Sequence, residues 1–130
     1  MEDVGGRAVS DWISGRPGEG AARTPPRPVV ASVVVDDEAI VVVVGSVDRF
    51  SWPHLEAAVF EVIAAGARWL VLDARQLAFV DATVVSRLAS IGRRLGTEGG
   101  GLRIASPPAV LRRLVDLLLL GDSLAVDPPA

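Results

Sequence analysis

The chain has 130 residues, half of them hydrophobic and 22% charged, with a net charge of −3, which suits one packed domain with a tail and excludes a wholly disordered chain. There is no Cys, a single His and no Lys, all 13 basic residues being Arg. Disulfides, thiol nucleophiles, histidine-rich metal centres, Schiff-base lysines and lysine-bearing phosphate loops are therefore excluded.

Asn and Tyr are missing along with Lys, and the AT-rich codons of all three point to a GC-rich bacterial genome. Residues 1–28 carry four Arg against four acids, and residues 29–130 carry nine Arg against twelve acids. A mildly acidic folded part argues against nucleic acid as a partner. The start, Met1-Glu2-Asp3-Val4-Gly5-Gly6, has neither a basic region nor an apolar one and is not a signal peptide. No apolar run approaches the roughly 20 residues of a membrane span, so no membrane insertion is expected, and the cytoplasm is the expected address.

Residues 1–28, rich in Gly, Pro and Arg, read as a disordered tail, and residues 29–130 as the folded domain. Within the tail, Val9, Trp12 and Ile13 fall at helical spacing and could dock elsewhere. Ser32–Val35 and Ile40–Val44 form β-branched runs around Asp36-Asp37-Glu38, which predicts a hairpin. The second run is apolar throughout, so it is expected to be covered on both faces and to end at Gly45. Ser51 is the expected N-cap of a helix from His54 to about Ala65, with Pro53 in the first turn and Gly66 closing it. Its inner stripe is Leu55, Ala58, Val59, Val62 and Ile63.

Trp69–Asp73 reads as a short buried strand, followed by a connection over Ala74–Val80. Asp81 then caps a helix running to about Leu95. Val84, Val85, Leu88, Ile91 and Leu95 face inward, while Thr83, Arg87, Ser90 and Arg94 lie opposite. Leu102–Ala105 is the next strand. Pro107 and Pro108 open a last helix, Ala109–Leu120, whose apolar residues are assigned to core packing, with dimerisation as the alternative. Leu124–Val126 adds a short edge strand. The order β-β-α-β-α-β-α-(β) predicts an α/β domain, with a mixed, mostly parallel sheet of four to five strands flanked by helices.

Function in such sheets gathers beyond the carboxyl ends of the parallel strands. That end should collect Asp48, the stretch from Asp73 to Asp81, and Ser106. Asp81 is first of all a cap, and Asp48 a cap or loop brace. Thr83 lies in a first helical turn, where unpaired N–H groups favour a phosphate. His54 is given no role. If a protein partner docks, the expected patch is Asp48, Asp81 and Thr83 with the helix face Arg87, Ser90 and Arg94, Arg being a good bidentate partner for carboxylates. No cofactor and no metal are expected, and no nucleophile–base pair can be assembled.

Several elements together resemble one family. Val44-Gly45-Ser46-Val47-Asp48 is similar to the "G-x-hydrophobic-D" element of STAS domains, the sulfate transporter and anti-sigma factor antagonist family. Leu70-Val71-Leu72-Asp73 with Phe79-Val80-Asp81-Ala82-Thr83 resembles its second signature, and Gly101–Ile104 and Leu120-Gly121-Asp122 resemble its closing half. The resemblance spans about residues 30–127. It implies a free-standing anti-sigma factor antagonist that binds an anti-sigma factor, often a GHKL-type serine kinase or ATPase, and so frees a sigma factor. A homodimer is a further option. The family's kinase phosphorylates the hydroxyl after the signature Asp. Here that position is Ala82, which has none, and the family's following Gly is Val84, whose side chain would hinder close approach to the backbone. Thr83 could serve if a kinase tolerates a shift of one residue, about 100° around a helix. The expectation is an antagonist locked in its unphosphorylated state. The alternative is a non-switching STAS subunit of a larger assembly, stressosome-like or part of a lipid-transport ATPase.

Overall fold

The computed structural model describes residues 27–127. Residues 1–26, with Val9, Trp12 and Ile13, lie outside the described residues. The elements are β1 (Val29–Val35), β2 (Glu38–Val47), α1 (Trp52–Ala64), β3 (Trp69–Val80), α2 (Ala82–Thr97), β4 (Gly101–Ala105), α3 (Ala109–Leu117) and β5 (Ala125–Val126). The sheet order is β1-β2-β3-β4-β5, antiparallel between β1 and β2 and parallel thereafter. This is the expected α/β order. The hairpin turn is Asp36-Asp37, with Val35 paired to Glu38. Asp36 adopts φ 57, a conformation that Asp tolerates better than most residues because its short side chain can bond locally.

Each parallel crossover steps to the neighbouring strand in the same direction across the sheet. Right-handed crossovers that never reverse must place their helices on one face. The registers agree. Ala39, Leu70 and Leu102 are cross-strand partners, as are Val41, Leu72 and Ile104, and all six are buried in the core. Leu55, Val59 and Val62 of α1 close that core, with Val85, Leu88 and Leu95 of α2 and Leu111 and Val115 of α3.

The opposite face has no helix among the described residues. Val33, Ile40, Val71, Arg103 and Ala125 form one row across it, and Val33 is 54% exposed. The expectation that β2 is covered on both faces is therefore corrected. Val41 and Val43 are buried, whereas Ile40 is exposed and Val42 and Val44 are half-buried. An all-aliphatic run such as Ile40–Val44 arises equally from a covered strand and from one whose outer face is apolar but bare.

β3 departs furthest from expectation. It does not end at Asp73 but continues to Val80, and β2 continues through Gly45 to Val47. Val42 pairs with Asp73 but Val44 with Gln76, and Gly45 pairs with Leu77 but Ser46 with Phe79. Each shift inserts one extra residue into β3, making two bulges. Gly45 sits at the second with φ 109. After Ala74 the buried residues are Leu77 and Val80, at every third position rather than every second. Period-two alternation is lost there, so the stretch looks like a loop in sequence.

Two helix boundaries also differ. α1 starts at Trp52 rather than His54. α3 stops at Leu117, and Leu119 turns the chain at φ 56. The turn directs Leu124 into the core but leaves Leu117, Leu118 and Leu119 outside, Leu119 being 86% exposed. Core packing holds for Leu111 and Val115 and not for these three.

Candidate functional site

The loop from β2 to α1 is built around Asp48. Its Oδ1 accepts from the Phe50 and Ser51 amides, both at 2.9 Å, and from the Ser51 hydroxyl at 3.1 Å. Ser51 Oγ in turn accepts from the Asp48 amide at 3.0 Å. This reciprocal pair satisfies amides at the helix entry in the manner of a capping box. The cap belongs to Asp48, not to Ser51, whose backbone is helical and whose side chain makes no cap bond into α1. The Ser51 amide first, then the Ser51 hydroxyl and the Phe50 amide, hold the Asp48 carboxyl below its ordinary value, against an opposing effect of burial. Folding lowers this pKa, so the stabilisation is present above the ordinary value of 3.8 and is lost as the pH falls through the lowered one. Asp48→Asn is accordingly expected to lose less thermal stability than the parent on acidification below about pH 4, measured by melts across pH.

Asp81 joins this loop to α2. Its Oδ1 accepts from the Val84 amide at 3.0 Å, capping the helix from an extended backbone. Its Oδ2 accepts from the Arg49 amide at 3.0 Å, 32 residues away. One carboxylate thus fastens two loops into a single rim. Phe50, next to that latch, is 75% exposed, and the Arg49 guanidinium lies 4.8 Å from its ring centroid.

The first turn of α2 continues the rim with exposed Ala82 and half-buried Thr83. Arg87, Ser90 and Arg94 follow on the exposed side of the helix, as the spacing predicts. A shallow hollow of ≈ 380 Å³ is lined by Ala82, Thr83, Ser86, Arg87 and Ser90. Ser90 Oγ accepts from Arg93 at 3.1 Å. Beside it, between α1 and α2, runs a groove of ≈ 570 Å³ with Phe60, Ile63 and Ile91 among its apolar lining and Glu56, Glu98, Arg87 and Arg94 among its charged residues.

Asp73 does not join the rim and is a correction, because it sits mid-strand in β3, cross-strand from Val42 on the bare face, and accepts from the Arg75 amide at 3.0 Å. Ser106 directly follows the carboxyl end of β4, as expected, exposed and with φ 53. His54 is exposed on α1. Among the described residues no three His, Cys, Asp or Glu side chains come together in a group that could hold a metal ion. No described helix is long and apolar enough to cross a membrane.

A family model described as Mlab, STAS domain matches residues 31–126. The chain belongs to the STAS family. Among solved structures it is similar to an anti-sigma factor antagonist from Mycobacterium paratuberculosis, at 25% identity over 82% of this chain and 90% of that one, with a TM-score of 0.70. It is also similar in fold to the anti-sigma factor antagonist SpoIIAA of Bacillus in its unphosphorylated form, at 16% identity over 78% and 88% of the chains and a TM-score of 0.63. A variant of RsbS from Moorella thermoacetica shares the fold at 24% identity, covering 78% of this chain and 87% of that one, with a TM-score of 0.59. No curated protein matches the sequence.

Against the STAS signature, Ala82 occupies the first position of α2 and carries no hydroxyl. Val84 does not obstruct the surface as expected, since its side chain points into the core and is 1% exposed. Sequence reasoning missed Phe50, Trp52 and Phe60. Trp52 lines the α1–α2 groove, and its indole N–H is buried without an acceptor. The signal for Phe50 was present as an aromatic in a polar strand-to-helix loop. Phe60 lies one position after Val59 and so fell outside the stripe assigned to the core.

Proposed function

We propose that this STAS protein is a regulatory binding module of the anti-sigma factor antagonist kind, which docks on an anti-sigma factor or a related kinase-type ATPase in the cytoplasm and has no turnover of its own. The observation that carries the reading is the double use of the Asp81 carboxylate, which holds the Arg49–Phe50 loop against the start of α2. An exposed aromatic next to a braced helix start, with Arg87 and Arg94 further along, is the composition of an interface anchor with a charged surround. The contact residues in this reading are Asp48, Asp81, Thr83, Arg87, Ser90 and Arg94, to which Phe50 is added. Asp48 and Asp81 act by shaping the rim, because Oδ1 of Asp48 and both carboxylate oxygens of Asp81 already accept bonds within the chain.

SpoIIAA has both an unphosphorylated and a phosphorylated form. With Ala82 at the standard position, the docking state here does not depend on that modification. A phosphate on Thr83 would add nearly two negative charges at the rim and oppose an acidic partner.

Co-purification from the native cytoplasm with mass spectrometry tests the reading. The expected catch is an anti-sigma factor or kinase-like ATPase, with any phosphate on Thr83 reported in the same spectra. Phe50→Asp and Arg87→Glu are each expected to weaken capture by about tenfold or more while leaving the melting temperature within a few degrees. Recovery of no such protein, or capture that ignores both substitutions, overturns it. A second reading, a non-switching STAS subunit of a larger assembly, is favoured by the exposed Leu117–Leu119 corner. Light scattering distinguishes the two by mass.

A further inference from the structure

The largest feature that the rim does not use is the bare face of the sheet. Val29, Val33, Val35, Ile40 and Trp69 are exposed there, with Val42, Val44 and Val71 half-buried between them. Toward β5 the face sinks into a hollow of ≈ 280 Å³, lined in part by Trp69, Val71, Gly101, Arg103 and Ala125. The Trp69 ring lies over Gly101, so closely that a Cβ there would meet ring carbon Cζ3 at 3.4 Å. Arg103 also lines it, its guanidinium bonded to Asp127 at 2.7 Å. An aromatic wall with apolar neighbours suits a planar aromatic guest.

We propose that the chain's own N-terminal segment covers this face, with the Trp12 indole in the Trp69–Arg103 hollow and Val9 and Ile13 on the valine rows beside it. Three observations select this occupant. First, Val9, Trp12 and Ile13 have the sequence spacing i, i+3, i+4, the one that aligns apolar side chains wherever a chain is helical. Second, the described chain starts at this face. Val29 lies on its first strand, and Pro28 is buried close to Gly45. Fifteen residues separate Ile13 from Val29, a reach of up to about 50 Å, whereas the hollow lies three strands across and six residues along the sheet from Val29, roughly 25 Å away. Third, the face measures roughly 20 Å by 20 Å, so two copies meeting there would bury about 800 Å², short of the 1,200 Å² or so of a stable interface. A tethered segment needs far less area, because its effective concentration is in the millimolar range.

The chain has no cysteine, so an introduced thiol is the only one. Ala125→Cys places it in the hollow, and Ala57→Cys places it on the exposed side of α1 as a reference. Reaction with a soluble disulfide reagent is followed in the full chain, with and without Trp12→Asp plus Ile13→Asp. Ala125→Cys is expected to react about tenfold slower with the native segment than with the double substitution, and Ala57→Cys equally in both. Equal rates at position 125 overturn the proposal. So does protection that grows with protein concentration alongside a doubled mass, which would assign the cover to a second copy. The sites read here are separate from Phe50 and Arg87, so failure of this test leaves the docking rim standing.

Discussion

Gly92→Ala is expected to lower stability by about 2–3 kcal/mol, although Ala in place of an interior helical Gly ordinarily adds about 1 kcal/mol. Gly92 is buried within α2, and a Cβ there would lie 2.2 Å from the Ser123 carbonyl oxygen and 3.6 Å from Leu102 Cβ. The first contact is with backbone, which cannot rotate aside. Nor can the Ser123 segment easily retreat. Its amide bonds to the Leu120 carbonyl at 2.9 Å, the Leu124 amide does the same at 2.9 Å, and Leu124 is buried in the core. Relief therefore means lifting Leu124 or tilting α2 off β4, and overpacking outweighs propensity. Gly96→Ala provides the opposing control, because nothing lies within 4 Å of its Cβ position on the same helix. It is expected to raise stability by up to about 1 kcal/mol. Thermal melts decide the matter. A melting temperature for Gly92→Ala at or above that of the parent would mean that the segment before β5 is not seated on α2.

Asp81→Ala is expected to cost about 2 kcal/mol, which in a domain of this size is a fall of roughly 10 °C in melting temperature. Two losses add. The Val84 amide loses its cap, and the Arg49 amide loses its only side-chain acceptor among the bonds described. Asp81→Asn separates them in part, since one amide oxygen can still cap α2 while the other arm can no longer accept from Arg49. The asparagine variant is expected to recover about half of the stability and little of the partner binding. If it binds like the parent, the latch between the loops does not shape the docking face.

Much of this arrangement was legible before any coordinates. Leu55, Val59 and Val62, and Val84, Val85, Leu88, Ile91 and Leu95, recur at helical spacing and are buried as expected, because a helix against a flat sheet hides one stripe. The Asp81 cap was legible because an acid before a periodic run has few other roles. Three things were not. The second half of β3 was hidden because its bulges replace a two-residue period by a three-residue one. The bare face was hidden because valine suits a strand whether or not a helix covers it. The latch from Asp81 to Arg49 was hidden because a bond to a backbone amide leaves no trace in side-chain identity.

The unidirectional winding of the sheet has a consequence for the kind of ligand this scaffold favours. Doubly wound proteins part their loops where the winding turns back, and that split forms a cleft around small molecules. Here the strand order runs in one direction without turning back, so the loops beyond the parallel strands have no such split. That topology offers a dissolved metabolite no switch-point cleft and leaves the strand-end loops to meet a protein surface instead.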